Sequence, residues 1–212
     1  AGRVGHVHPV RHAVRVRQAA AVRAVVLTDP PAVLLTVGHG TSSEEELGGR
    51  LRDADVRALV DIRIGPGSRR NPHLSKAALE QWLPSYGVAY RWERRLGGFR
   101  ALPPDSPDTA LRNDSFRAYA THMRTAEFVA AIDGVLDEAG RRLTTVMCSE
   151  SVWWRCHRRL VADFVALARG VEVRHLMPGG RLVPHVPTDG VRLRPDGLLA
   201  YDGGRLTLDD LS

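Results

Sequence analysis

Residues Thr144–Arg159, TTVMCSESVWWRCHRR, hold a thiol, a carboxylate, an imidazole and several guanidiniums in one short stretch. A β-branched, apolar run stops at Cys148, Ser149 and Glu150, and Trp153, Trp154, Arg155, Cys156, His157, Arg158 and Arg159 follow at once. Such a set suits the handling of an anion. The carboxylate or the thiol would do the chemistry, the imidazole would move a proton, and the arginines would hold phosphate.

Two other segments end in polar groups in the same way. One apolar run leads into Gly38-His39-Gly40, and a second ends in Asp61 and Arg63 before Gly65-Pro66-Gly67-Ser68-Arg69-Arg70-Asn71. Each feature alone has a plainer explanation. His39 could make a structural hydrogen bond, Asp61 could pair with Arg63 or Arg69, Cys148 could be a small buried apolar group, and the tryptophans could be packing. These explanations weaken together, because parallel strands bring all three ends to one sheet edge, where α/β proteins bind ligands.

The thiols allow two further readings. A Cys148 nucleophile could be activated by a helix N-terminus and nearby arginine. Cys148, Cys156 and His157 are three soft ligands, but Cys-x7-Cys-His is no standard zinc spacing. On a helix, Cys156 and His157 would also point about 100° apart. No metal and no cofactor is therefore expected. Phosphate-cradling glycine motifs are missing as well.

The elements that must position these groups alternate. Strands are expected at Val33–Val37, Arg57–Ile62, Val88–Trp92, Leu143–Met147 and Val171–Leu176. Helices are expected after Ser42 or Ser43, from Ser75 to about Leu83, from Ser115, over Ala126–Ala139 and over Val152–Ala168. Gly97–Asn113 reads as a long loop of the kind that carries function. The pattern implies a three-layer α/β fold, Rossmann-like, with a mostly parallel sheet and helices on both faces. The expected organisation is a basic tail over residues 1–30, an α/β domain over 31–180 and a C-terminal extension over 181–212 that forms a small β hairpin.

With 30 Lys and Arg against 24 Asp and Glu, the net charge is +6. Residues 1–30 carry five arginines against Asp29, so they supply +4 of it. Basicity alone is thus a weak pointer to nucleic acid. Lys76 is the only lysine, which disfavours Schiff-base chemistry. Two cysteines, no apolar run of about 18 residues and no leader pattern point to the cytoplasm, with no membrane partner.

Five ordered blocks resemble the family called domain of unknown function 488. They are TVGHG (Thr36–Gly40), VDIRIGPGSRRNPHL (Val60–Leu74), LGG (Leu96–Gly98), FRAYATHM (Phe116–Met123) and MCSESVWWRCHRRL (Met147–Leu160). Gly40 stands where the family commonly has Ser, and Leu74 where it has Phe. The resemblance implies the three-layer fold. It also implies a link to DNA, including removal of modified cytosines such as 5-hydroxymethylcytosine.

The expected function is an enzyme acting on DNA, most concretely a glycosylase that extrudes a nucleotide and cuts its N-glycosidic bond. Asp61 or Glu150 would activate water or stabilise the sugar cation. His39 or His157 would move protons, with Cys148 as a further reactive group. Phosphate and base contacts are expected from Arg63, Ser68, Arg69, Arg70, Asn71, Arg117, Arg155, Arg158 and Arg159, with Tyr90 or Trp154 stacking the base. The rivals are a Cys-dependent transferase or phosphoester hydrolase on a small anion, and a non-catalytic nucleic-acid-binding module.

Overall fold

A computed structural model describes residues 33–67 and 69–204. The basic tail, Ser68 and residues 205–212 of the C-terminal extension lie outside the described residues.

The element order is β1 (Val33–Gly38), α1 (Glu44–Asp53), β2 (Ala58–Asp61), α2 (Lys76–Trp82), β3 (Ala89–Trp92), α3 (Asp114–His122), α4 (Ala126–Ala139), β4 (Thr144–Cys148), α5 (Arg158–Arg169), β5 (Glu172–Leu176), β6 (Leu182–Pro184), β7 (Arg192–Leu193) and β8 (Leu199–Ala200). Polar caps start four of the helices. Ser43 and Glu46 form a reciprocal capping box at α1, and Ser75, Asn113 and Thr125 cap α2, α3 and α4 through their side chains.

The main sheet runs β3-β2-β4-β1-β5-β6, with only β6 antiparallel. Its side chains alternate between two cores. Leu34, Val60 and Val146 pack under Tyr119, Phe128, Ile132, Leu160 and Phe164 from α3, α4 and α5. Leu35, Leu59 and Met147 face Leu47, Leu51 and Leu79 from α1 and α2. The fold is therefore three-layer α/β, as expected.

Crossover handedness explains which helix lies where. The chain moves in one direction along the sheet from β1 to β2 to β3, and right-handed connections put α1 and α2 on one face. It then moves the other way, through β4 to β5, and α3, α4 and α5 take the opposite face. The reversal falls between the neighbouring strands β1 and β4, whose following helices lie on opposite faces. That is where a crevice opens at the carboxyl edge.

Two differences from the sequence expectation matter. The helix expected from Val152 is broken: Trp153–Arg155 form a short 3-10 turn, Cys156 is extended (φ −130°, ψ 153°), and α5 begins at Arg158. Leu182–Pro184 join the main sheet beside β5, so the chain beyond residue 180 is partly continuous with the domain. β7 and β8 pair as a small antiparallel hairpin. Among the described residues no helix is long and apolar enough to cross a membrane.

Candidate active site

A cavity of about 480 Å³ opens at the carboxyl edge of β1, β2 and β4. Such a volume is typical of small-ligand sites, which run from about 300 to 1,000 Å³. The loop after β1 contributes His39 and Gly40, and the loop after β2 contributes Arg63, Gly67 and Asn71. The segment after β4 brings Cys148, Ser149, Glu150, Arg155, Cys156 and His157. The LGG segment and the start of α3 close it with Gly98, Phe99, Arg100, Ser115 and Phe116.

The switch-point strands are stitched together at the cavity. His39 N donates to Cys148 O at 3.1 Å and Gly40 N to Ser149 O at 2.9 Å. Gly38 is required by this approach, since a Cβ there would lie 1.8 Å from the backbone oxygen of Glu150.

His39 is neutral in this arrangement. Its Nδ1 lies 2.9 Å from Gly40 O, an acceptor, so Nδ1 carries the proton. Nε2 then accepts from Arg63 Nη1 at 3.2 Å. Burial and the charge of Arg63 both lower the His39 pKa from the ordinary range. With its lone pair occupied, His39 is a positioning group in this geometry, against the proton-transfer role expected of it.

Asp61 is corrected in the same way. It is fully buried and absent from the cavity wall. Its carboxylate accepts from Arg63 Nε at 2.9 Å, Arg63 Nη2 at 2.5 Å, Arg63 N at 3.0 Å and Tyr90 Oη at 2.9 Å. No oxygen is left to activate water, so Asp61 acts through Arg63. Tyr90 is likewise spent on Asp61 and does not reach the wall. Burial, then the nearby Asp61 charge, pushes its pKa upward.

The other expected contacts divide. Arg63, Asn71, Arg155, Glu150, Cys148 and His157 line the cavity. Arg158 does not, because it is buried beneath it, donating to Thr36 Oγ1 and to Glu150 O. Arg159 donates to Thr188 Oγ1 at 2.7 Å, and Arg117 pairs with Asp114. Trp154 is 47% exposed away from the wall, and Trp153 stacks on His175 at 4.1 Å. Arg69 and Arg70 are exposed beside Asn71 but outside the wall.

Cys148 and Cys156 are free thiols, and both face His157 Nδ1, at 3.7 Å and 3.5 Å. His157 Nε2 lies 3.3 Å from Ile62 O. A hydrogen bond from Cys156, with the neighbouring His157 and Arg158, pulls the Cys148 thiol well down. Burial and that same hydrogen bond push Cys156 up. Cys156 Sγ and His157 Nδ1, adjacent in the chain, meet where the short 3-10 turn gives way to α5, and not within one continuous helix.

Several wall residues were given no site role in the sequence: Phe99 and Arg100, and Gly98, Ser115 and Phe116, which were noted only within family blocks or as a helix start. The length of the Gly97–Asn113 loop was the available signal. Tyr119 was missed too. Its hydroxyl donates to Leu96 O at 2.8 Å while its ring lies 5.0 Å from that of His157, so it fixes the LGG segment against the imidazole.

A family model described as Domain of unknown function DUF488 matches residues 43–165. The chain belongs to the DUF488 family. The match spans β2, β4 and the Cys148–His157 segment, so the DUF488 region supplies most of the cavity wall, while His39 and β1 lie upstream of it. No curated protein and no solved structure shows a significant match to the chain.

Proposed function

We propose that this DUF488 protein is a hydrolase acting on nucleic acid. Most concretely, it is a glycosylase that admits one modified base, such as 5-hydroxymethylcytosine, and cuts its N-glycosidic bond. One observation carries the reading: Glu150 is the only carboxylate on the cavity wall among the described residues, and it shares that wall with Arg63, Arg100 and Arg155. The arginines suit the phosphates of a strand, and a carboxylate suits the positive charge that develops on the sugar. Phe99, 83% exposed at the rim, offers a stacking face.

In the step proposed, Glu150 orients water and accepts its proton. The water oxygen bonds to C1′ as the C1′–N bond breaks, and the base leaves with that electron pair and takes up a proton. The test is abasic-site formation in duplexes carrying 5-hydroxymethylcytosine or unmodified cytosine. Glu150→Gln is expected to lower the rate about 10²–10⁴-fold. Unchanged product formation in that variant removes Glu150 from the chemistry.

A second reading has its own observation, the Cys148 Sγ on the same wall 3.7 Å from His157 Nδ1. It makes Cys148 the nucleophile of a transferase or phosphoester hydrolase. A covalent substrate adduct on Cys148, detected by mass spectrometry, would replace the glycosylase reading.

A further inference from the structure

We infer that Cys148, Cys156 and His157 form a binding site for one soft divalent cation, zinc by its ligand set, with a fourth position open to the cavity. The three ligand atoms lie within 4.8 Å of one another. Tetrahedral zinc, with Zn–S of about 2.3 Å and Zn–N of about 2.0–2.1 Å, separates a sulfur and a nitrogen ligand by about 3.5 Å. The two separations from His157 Nδ1 are 3.5 Å and 3.7 Å. Both sulfur–nitrogen separations therefore match those of an occupied site, and the two sulfurs lie within 4.8 Å of each other.

The orientation of the imidazole supports the assignment independently. Ile62 O can only accept, so the His157 Nε2 facing it at 3.3 Å bears the proton. In the neutral ring Nδ1 is then a bare lone pair, and it points at the two sulfurs. Metal-binding histidines are commonly held this way, the second nitrogen donating to a backbone carbonyl. Gly98 leaves room for the ring, since a Cβ there would lie 2.7 Å from Nδ1. Two sulfurs and a nitrogen, with no carboxylate among them, favour zinc over magnesium or calcium.

All three residues line the cavity, so a cation there meets substrate or water. Three protein ligands and an open position mark catalytic rather than structural zinc. A bound water at that position would lose a proton readily, and its oxygen would attack while the leaving group takes up a proton. Glu150, on the same wall and not a ligand, is placed to carry that proton. This use of the metal rests on the hydrolase reading, whereas the site itself does not.

The experiment takes the full chain, purified with reductant, through elemental analysis, then through removal of metal and titration with Co²⁺. The expected result is one equivalent of zinc and, with cobalt, a thiolate charge-transfer band with the visible bands of a tetrahedral centre. Cys156→Ala and His157→Ala lose the band, while Glu150→Gln keeps it. Should the first two fail to fold, zinc added to the metal-free native chain must still protect both thiols from alkylation together. Reduced native protein that takes up no stoichiometric metal, shows no band and gains no protection overturns the inference. Base excision that persists in such metal-free protein leaves the glycosylase standing without zinc. Metal uptake without any excision leaves the zinc site standing without the glycosylase.

Discussion

Arg63 holds the carboxylate of Asp61 through Nε and Nη2 and reaches His39 Nε2 with Nη1, 3.2 Å away. Tyr90 completes the carboxylate's shell, and Trp92 Nε1 fixes the backbone oxygen of Arg63 at 2.8 Å. A fully buried acid thus aims a cation along the cavity wall, and the cation in turn sets the imidazole beside it.

Asp61→Asn should therefore be a stability variant first. Breaking a buried pair from one side costs about 3–5 kcal/mol, because a charge is left uncompensated. Tyr90→Phe removes a single hydrogen bond and should cost about 0.5–1.5 kcal/mol. Urea unfolding measures both. An Asp61→Asn chain as stable as the parent would mean that the pair contributes little.

Gly98→Ala should separate activity from stability. The new Cβ would meet His157 Nδ1 at 2.7 Å, so the ring must swing away. A displacement near 1 Å at a reacting centre can cost about 10²-fold in rate, against about 1–3 kcal/mol for the overpacking. Turnover measured beside a melting curve tests this, and a variant with parental turnover would show that the ring need not stay where it is.

Arg155→Ala should weaken nucleic-acid binding evenly across sequences. Arg155 is exposed on the cavity wall. Loss of one phosphate contact lowers the slope of log affinity against log salt by about 1. Arg117→Ala, altering an arginine away from the wall, should leave the slope unchanged. Equal slopes for the parent and Arg155→Ala would remove Arg155 from the phosphate contacts.

Acid should destabilise the fold through His175. Its Nδ1 meets Thr36 Oγ1 at 2.8 Å and its Nε2 meets His185 Nδ1 at 3.0 Å, while His185 Nε2 reaches Asp163 at 2.9 Å. Burial, then the charges of His185 and Arg158, lowers the His175 pKa from 6.5 to about 3. Below pH 6.5 the unfolded chain binds a proton that the folded chain refuses. This contribution to stability is complete above 6.5 and is lost as pH falls toward about 3. Urea midpoints across that window should drop with pH, and His175→Gln should remove part of the slope.

The parallel sheet and the edge where its strand ends converge were legible in the sequence, because short β-branched runs alternated with capped helical segments. Which acid would be exposed was not. Asp61 ends a strand and Glu150 closely follows one, and only the positions of Tyr90 and Arg63, 29 and 2 residues along the chain, put the first out of reach. The arginines of WRCHRR were equally ambiguous. Arg155 lines the cavity and Arg158 lies beneath it because α5 starts at Arg158 and not at Val152. Cys156 and His157 appeared divergent only under the assumption of a continuous helix. β6 escaped notice because three residues after Pro-Gly-Gly show too little alternation to stand out.

The place of β4 between β1 and β2 has a consequence for synthesis. Those two strands are never hydrogen-bonded to each other, and the piece that joins them, starting at Thr144, leaves the ribosome roughly eighty residues after Asp61. Until then β1, whose partners β4 and β5 both come later, has no strand beside it and β2 has only β3, so each leaves raw backbone able to zip onto a stray strand from another molecule. A translation product halted before that point would lack the reactive floor entirely, and it is the species that a chaperone would be most needed to shield.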